Sequence, residues 1–422
     1  MHQVASERKY SRAELLAYVL QDKPVAAAQD RLGGSAVVQT MTDIVTLLDR
    51  EDVFSGNIAI FAPWGAGKTS ILSMVSARLG ERFVTAWFDS WQYDNKPVNM
   101  AIGLLRKIQA VLGIKDDDGS PFTMYLRAFM KMSSSAATLM AAAAESDAAM
   151  AAYCGWIDQI DSFRQRFGEA LKSALGGRRM VVFVDDLDRC TPHNVIFLLE
   201  TIKNFLSVDS IVFMVAMDKE VVKETIDNYY RYRRNFGNLY LEKVFPYEFS
   251  FRYDEHRYHD LIDDALTEFF PNKEHADKLK DTFKILPYNP RRLKAILKKL
   301  FFQAQYYRGT TDDYERFLTI VLATYFPDFF DALCSLDERT ALNLIQALVI
   351  FRELSEGLFR PEDREQQISK YPGMAKFFND DTLLDVIKLM DGYWRFREPG
   401  WSLRIRQNER PLRKILTSIA LE

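Results

Sequence analysis

Short apolar runs alternate with segments of helical periodicity over the first 250 residues of the chain. Four runs that are apolar at successive positions predict buried strands, at Asn57–Phe61, Phe83–Phe88, Met180–Val184 and Ile211–Ala216. Apolar residues at helical spacing predict helices before and between these strands, at Ala13–Gln21, Val37–Leu48, Lys68–Leu79, Val98–Leu175 and Asn194–Leu206. Strands that are apolar on both faces and alternate with helices are typical of a mainly parallel α/β sheet.

The pattern becomes wholly helical after about Phe251. Helices are predicted at His259–Phe270, His275–Phe283, Arg291–Tyr307, Tyr314–Leu336 and Ala341–Leu354. Turns are predicted at Asp391-Gly392 and at Pro399-Gly400. The chain is therefore predicted to divide into an α/β domain over residues 1–250, with a helical insertion at about 98–175, and a mainly helical region over residues 251–422.

The composition excludes several classes of protein. Lys and Arg total 55 and Asp and Glu total 58, a net charge of −3, so the chain is not basic all over as a histone-like nucleic-acid binder would be. The hydrophobic share of 48% argues against extensive disorder. Three widely separated cysteines, Cys154, Cys190 and Cys334, predict neither a disulfide framework nor a cysteine-rich zinc site. The first ten residues resemble no export signal, and we expect a cytoplasmic setting.

One Ala-rich stretch, Ser133–Ala152, comes nearest to a membrane span. It contains Glu145 and Asp147, and a charged residue at the centre of a span costs about 2.5–3.5 kcal/mol on insertion scales. We therefore predict a soluble helix here and no membrane-spanning segment.

The segment between the first predicted strand and the next helix has the residues of a phosphate-binding loop: Trp64, Gly65, Ala66, Gly67, Lys68, Thr69 and Ser70. Glycines allow successive backbone N–H groups to turn towards a phosphate, and the following helix N-terminus adds partial positive charge. Lys68 is predicted to bridge the β- and γ-phosphates, and the Thr69 hydroxyl to bind Mg²⁺. The usual pattern begins with Gly, and this chain has Ala62 there.

Two carboxylates follow the predicted strand Met180–Val184. Acids at the carboxyl end of a buried strand suit metal and water chemistry. Asp185 is predicted to orient Mg²⁺ through its water shell, and Asp186 to activate the attacking water, a role more often filled by Glu.

Several strings of residues together resemble the KAP family of P-loop NTPases over about residues 30–300. They are Trp64–Ser70, Trp87–Tyr93, Val184–Cys190, Val215–Asp218, Tyr240–Phe245 and Asn289–Lys294. The resemblance implies a core in which the catalytic strand is inserted between the phosphate-loop strand and its neighbour. It also implies ATP and Mg²⁺ as cofactors, and protein partners. Arginines that act between subunits would favour self-association. Many family members carry membrane helices, drive the assembly of protein complexes, and belong to bacterial anti-phage defence systems.

The resemblance carries three further residues into the candidate site. Asp218 ends a predicted strand, where it is either a sensor of the γ-phosphate or the N-cap of the next helix. Arg291, or its neighbour Arg292, is a candidate sensor at a helix start, the other facing solvent or an acidic neighbour. Arg189 either reaches a nucleotide in an adjacent subunit as an arginine finger or pairs with Asp188.

Weaker signals remain outside this site. Tyr229–Arg234 interleaves aromatic and basic residues, and a second basic cluster comprises Arg404, Arg406, Arg410, Arg413 and Lys414. Such clusters are usually solvated faces, although nucleic-acid surfaces share the pattern. His256 and His259 are expected to be surface histidines, and Trp87 and Trp91 are expected to pack in or beside the core.

The sequence thus predicts an ATP-hydrolysing enzyme that couples nucleotide state to the assembly or activation of a protein complex. It would be cytoplasmic, with peripheral association to a membrane left open. One alternative is a nucleotide-gated scaffold with little turnover, because Asp186 is shorter than Glu. The other is a DNA-engaging ATPase that uses the Arg-rich segments.

Overall fold

The protein forms two compact units. The computed structural model describes residues 10–20, 24, 30–94, 100–116, 119–127, 129, 164–230, 236–251, 254–269, 273–306, 313–356 and 361–397. One unit is Lys23–Asp254, and the other joins Met1–Asp22 to Glu255–Glu422. The predicted Ala-rich helix Ser133–Ala152 and the basic cluster beginning at Arg404 lie outside the described residues.

A five-stranded sheet organises the first unit, which we call the α/β unit. The strands are β1 (Asn57–Phe61), β2 (Val84–Asp89), β3 (Met180–Asp185), β4 (Ile211–Met217) and β5 (Tyr247–Ser250). Their order in the sheet is β2-β3-β4-β1-β5, and every neighbouring pair is parallel. The carboxyl ends of all five strands therefore lie along one edge.

The order corrects one expectation about the core. The strand that ends in Asp185 is not a neighbour of the phosphate-loop strand, because β4 lies between β3 and β1. β4 is buried along its whole length, which suits a strand paired on both sides and covered on both faces.

Helices cover both faces of this sheet. They are α2 (Ser35–Arg50), α3 (Lys68–Leu79), α4 (Trp91–Asp94), α5 (Met100–Val111), α6 (121–127), α7 (164–175), α8 (Pro192–Thr201), α9 (Lys219–Tyr229) and α10 (Phe236–Val244), numbered after α1 (Arg12–Leu20) of the other unit. Apolar residues of α2 and α3 pack on one face, against Phe183 and Met214. Those of α5, α7 and α8 pack on the other, against Val182 and Phe213. The alternation of side chains along each strand divides the core in this way.

β5 has no counterpart among the predicted strands. It is four residues long, and only Tyr247 and Phe249 are apolar, so it lacks the continuous apolar run that reveals a buried strand. Its place at the end of the sheet explains why it tolerates Glu248 and Ser250.

The second unit, which we call the helical unit, contains no strand among its described residues. Besides α1 it comprises α11 (Glu255–Phe269), α12 (Lys273–Ile285), α13 (Pro290–Tyr306), α14 (Asp313–Tyr325), α15 (Pro327–Ser335), α16 (Glu338–Glu356), α17 (Pro361–Ser369), a 3₁₀ helix (Pro372–Asn379) and α18 (Asp381–Arg397). The prediction placed residues 1–22 with the α/β domain. Instead, Arg12 of α1 pairs with Glu268 of α11 at 2.7 Å, and Tyr18 lies 4.4 Å from the ammonium of Lys294 on α13.

Two helix boundaries differ from the predicted ones. The single helix predicted over Tyr314–Leu336 is two helices, α14 and α15, bent by 112° at Phe326. Pro327 causes the break, since proline removes a backbone donor and disfavours helical backbone at the residue before it. The turn predicted at Asp391-Gly392 is wrong, because α18 continues through both residues.

In the described part of the chain, no single helix is long and apolar enough to cross a membrane. The bent pair of α14 and α15 passes that test of length and composition only when its two segments are taken together.

Phe213 is expected to be essential to the stability of the α/β unit. It is fully buried in the middle of β4, so Phe213→Ala leaves a cavity and should lower the free energy of unfolding by about 3–5 kcal/mol. Urea unfolding followed by circular dichroism measures the change. Leu47→Ala, on the outer side of α2, is the control and should have almost no effect. Equal midpoints for the two variants would contradict the described core.

Candidate functional site

The loop between β1 and α3 has the backbone of an anion-binding turn. Gly65 and Gly67 have φ angles of 84° and 87°, in the left-handed region where a side chain is strained. The Ala66 N–H donates to the Pro63 carbonyl at 3.1 Å, which closes the turn. Gly67 is the N-cap of α3 and offers no capping side chain to the first turn of that helix. The N–H groups of Lys68, Thr69 and Ser70 are therefore suited to receive an anion.

Lys68 is buried at this helix start, with only 6% of its surface exposed. Its ammonium donates to the Ala62 carbonyl and to Oδ2 of Asp188, both at 3.0 Å. Asp188 Oδ2 also accepts the Asp218 backbone N–H at 2.9 Å. One carboxylate thus connects the phosphate loop, the turn after β3 and the end of β4.

Thr69 and Asp185 form the part of the site suited to a metal. Asp185 ends β3 and is almost fully buried, and the Thr69 hydroxyl and the Asp186 N–H donate to its carboxylate. Burial raises the pKa of Asp185, while these hydrogen bonds and Lys68 oppose the rise. Mg²⁺ prefers oxygen ligands and usually combines one or two carboxylates with substrate phosphates and water. Among the described residues, no group of three or more His, Cys, Asp or Glu side chains could hold a metal ion. The smaller donor set of Thr69 and Asp185 therefore fits Mg²⁺ only once a phosphate is bound and supplies further oxygen ligands.

Asp186 follows in an unusual backbone conformation, with φ of 56°. Burial and the nearby charge of Asp185 raise its pKa to about 6, and Arg189 acts in the opposite direction. The Arg189 guanidinium pairs with Asp186 Oδ1 at 2.8 Å. The carboxyl that is predicted to activate water is therefore already engaged by a cation of its own chain.

Two exposed tryptophans flank this arginine. The Arg189 guanidinium carbon lies 5.6 Å from the ring centroid of Trp64 and 5.3 Å from that of Trp91. These side chains are 63% and 51% exposed, so the expectation that Trp91 packs in or beside the core is wrong. Trp87, in contrast, stacks on Phe183 in the core at 5.9 Å. Stacking on two rings holds Arg189 over the site.

One of the two alternatives for Arg189, its pairing with Asp188, is also wrong, because Asp188 pairs with Lys68 and Arg189 pairs with Asp186. Asp218 caps α9, since its side chain accepts the Glu220 N–H at 3.2 Å, which agrees with the N-cap alternative. A sensor role for Asp218 stays a prediction.

Arg291 lies in the helical unit, at the start of α13, and its predicted sensor role stays a prediction. Arg292 faces no acidic neighbour in the part of the chain described. Its guanidinium donates to the Tyr325 carbonyl at 3.3 Å and lies 5.1 Å from that residue's ring.

Sequence reasoning missed two acids near the site. Asp188 was considered only as a partner of Arg189, because adjacent positions do not reveal which side of a turn each side chain takes. Asp89 ends β2 in register with Asp185. The signal that identified Asp185, an acid directly after an apolar run, is present at Asp89 as well.

The parallel sheet, the glycine loop with its lysine, and the acids at the end of β3 define a P-loop NTPase. The chain belongs to the KAP family, since the sequence model of the KAP family P-loop domain matches residues 44–307, more than half of its length. Membership implies nucleotide binding and suggests NTPase activity, and the family typically binds a nucleoside triphosphate with Mg²⁺. No curated protein matches the chain.

Removing the charge of Asp186 is expected to stabilise the nucleotide-free protein at neutral pH. Folding raises the pKa of this carboxyl from 3.8 to about 6, so the folded state holds its proton more tightly than the unfolded state does. Stability therefore falls as the pH rises from about 4 to about 6 and stays lower above that range. Asp186→Asn should have the higher thermal midpoint at pH 7.5, and the difference should shrink towards pH 4.

Thermal unfolding in the presence of a chelator measures this effect. Asp43→Asn, which removes an exposed carboxylate of α2, is the control for the loss of one negative charge. An Asp186→Asn midpoint at or below that of the wild type at pH 7.5 would contradict the assignment.

Proposed function

We propose that this protein is an ATPase that couples ATP binding and hydrolysis to the assembly or activation of a protein complex. The observation that carries the proposal is the meeting of Lys68, Thr69, Asp185 and Asp186 at one edge of the sheet. A setting in bacterial anti-phage defence is part of the proposal, and it rests on family resemblance alone. So does the choice of ATP over GTP.

In the proposed reaction, Lys68 and the N-terminus of α3 bind the phosphates. Thr69 and Asp185 would hold Mg²⁺, which would neutralise charge on the phosphates. Asp186 accepts the proton of the attacking water. A pKa of about 6 suits this role, since the carboxyl is mostly ionised at neutral pH and still more basic than an ordinary Asp.

The Lys68–Asp188 ion pair supports a link between nucleotide state and conformation. Phosphate oxygens compete with Asp188 for the Lys68 ammonium, and the bound anion repels that carboxylate. Asp188 also accepts the Asp218 N–H, directly before α9. Nucleotide binding would therefore change the contacts at the end of β4, where α9 begins. A partner protein bound near α9 would detect that change.

The Asp186–Arg189 pair favours a second candidate, a nucleotide-gated scaffold with little turnover. While Arg189 holds Oδ1, that oxygen is less able to accept a proton from water. A partner that draws Arg189 away would release the acid. In this second proposal the protein alone binds ATP and barely hydrolyses it.

We further propose a cytoplasmic location and self-association. An arginine supplied between copies of the chain would complete each site, and Arg189 is the candidate because its guanidinium lies at the exposed side of the site between Trp64 and Trp91.

Lys68→Ala is expected to abolish ATP hydrolysis and to weaken ATP binding strongly, because it removes the cation that meets the phosphates. Steady-state phosphate release and binding of a fluorescent ATP analogue measure the two effects. Lys172→Ala, an exposed lysine on α7, is the matched control. Unchanged turnover in Lys68→Ala would overturn the ATPase proposal. Binding by the wild type without turnover would select the scaffold.

Mixing two inactive variants distinguishes the two roles of Arg189. Asp186→Asn and Arg189→Ala should each lose most hydrolysis. If Arg189 acts on a neighbouring subunit, a mixture contains complete sites, with Asp186 from one variant and Arg189 from the other, and activity returns. We expect recovery in the 1:1 mixture, measured as phosphate release at protein concentrations where the wild type self-associates. Absence of recovery would show that Arg189 acts only within its own chain.

A further inference from the structure

The carboxylate of Asp89 lies beside the candidate site and has no role in the reaction described so far. Asp89 is the last residue of β2 and is in register with Asp185. Two residues earlier on each strand, Trp87 stacks on Phe183, and both contact the core cluster that contains α3. Because alternate residues of a strand share a face, Asp89 and Asp185 are on the α3 side of the sheet, beside the phosphate loop.

The hydrogen bonds of Asp89 leave one oxygen without a partner. Oδ2 accepts from the Gln92 amide at 2.8 Å. Oδ1 is buried, and among the described residues it has no hydrogen-bond partner. The hydroxyl of the next residue, Ser90, is likewise buried and without a partner among those residues. Buried polar atoms in folded proteins are nearly always paired with protein or ordered water, so these two atoms are suited to bind a polar ligand or water.

The two nearby cations each have an acidic partner. Lys68 is paired with Asp188, and Arg189 with Asp186. Asp89 Oδ1, the Ser90 hydroxyl and Arg189 Nε all lack a partner among the described residues, so Asp89 Oδ1 is able to accept a hydrogen bond from a bound ligand or water. Asp89 is also close enough to Asp186 for its charge to raise the pKa of that carboxyl. A water molecule between the two acids has one O–H for each.

We propose that Asp89 is a positioning residue that holds the attacking water against Asp186, and this inference rests on the proposed ATPase function. One O–H of the water donates to Asp89 Oδ1 and stays intact. The water oxygen bonds to the γ-phosphorus as the bond from that phosphorus to the β–γ bridging oxygen breaks. ADP leaves with the electron pair, and the second water proton passes to Asp186. The products are ADP and hydrogen phosphate, whose remaining O–H is still directed at Asp89.

Asp89→Ala is expected to lower kcat about 10- to 100-fold without changing the KM for ATP or the Mg²⁺ concentration that gives half-maximal activity, because only water positioning is lost. Asp89→Asn should stay within about threefold of the wild type. Its Oδ1 still accepts from water, and the exposed Gln92 can turn its amide to accept from the new Nδ2. Steady-state phosphate release over ATP and Mg²⁺ titrations measures all three quantities, with Asp43→Ala as the control.

The outcomes separate this inference from the function on which it rests. Wild-type turnover with an unchanged kcat in Asp89→Ala would overturn the role of Asp89 alone. A raised requirement for Mg²⁺ would also overturn it, since Asp89 would then serve the hydration shell of the metal. An Asp89→Asn protein as slow as Asp89→Ala would overturn the claim that Oδ1 accepts a hydrogen bond from the attacking water. If Asp89→Ala proves unstable, a kcat of Asp89→Asn at least about tenfold below the wild type would overturn the same claim. Absence of turnover in the wild type would overturn both the inference and the ATPase function.

Discussion

The buried ion pair of Lys68 and Asp188 is the contact on which the organisation of the site depends. Both side chains are 7% exposed, and removing one partner of such a pair typically costs about 3–5 kcal/mol, because the other charge is left without compensation. The pair connects segments that arrive separately at the sheet edge: the loop after β1 and the turn after β3. Through the Asp218 N–H it also fixes the end of β4. The ion pair therefore holds these segments together, with a carboxylate as the counter-ion of the lysine.

The sheet order has a direct electrostatic consequence. Parallel strands place Asp89, Asp185 and Asp186 at neighbouring strand ends. Among the described residues, the cations that form ion pairs there are Lys68, with Asp188, and Arg189, with Asp186. Burial raises the pKa of both Asp185 and Asp186, and the charges of Asp185 and Asp89 add to the rise at Asp186. A folded protein with this arrangement is less stable near neutral pH than one with neutral residues at the same places. Mg²⁺ is the kind of ligand that relieves such an excess of carboxylates, which fits a site completed by a metal and phosphate.

The sequence was most informative where one physical signal dominates. Continuous apolar runs located β1, β3 and β4, and the glycines before Lys68 located the start of α3. β5 was missed because Tyr247 and Phe249 alternate with polar residues on a short strand at the sheet end. The break at Phe326 was missed because apolar spacing continues across Pro327. For the site, the sequence indicated the phosphate loop and the acids after β3, but not the hydrogen-bonding partners of these residues. The turn after Asp185 decides those partners, and the spacing of residues in the sequence does not reveal the geometry of that turn.

That turn also gives a physical reason for an aspartate at position 186. Its φ of 56° ends β3 and begins the 3₁₀ turn Leu187–Arg189. Among residues other than glycine, Asp and Asn are enriched in this left-handed conformation, whereas a longer acid such as Glu adopts it less readily. The same turn sends Asp188 inward to Lys68 and brings the Arg189 guanidinium back to Asp186. The shorter acid is thus a consequence of the backbone that separates the two ion pairs. Because the side chain of Asp186 is shorter than that of Glu, a second carboxylate at Asp89 would help to hold the attacking water near it.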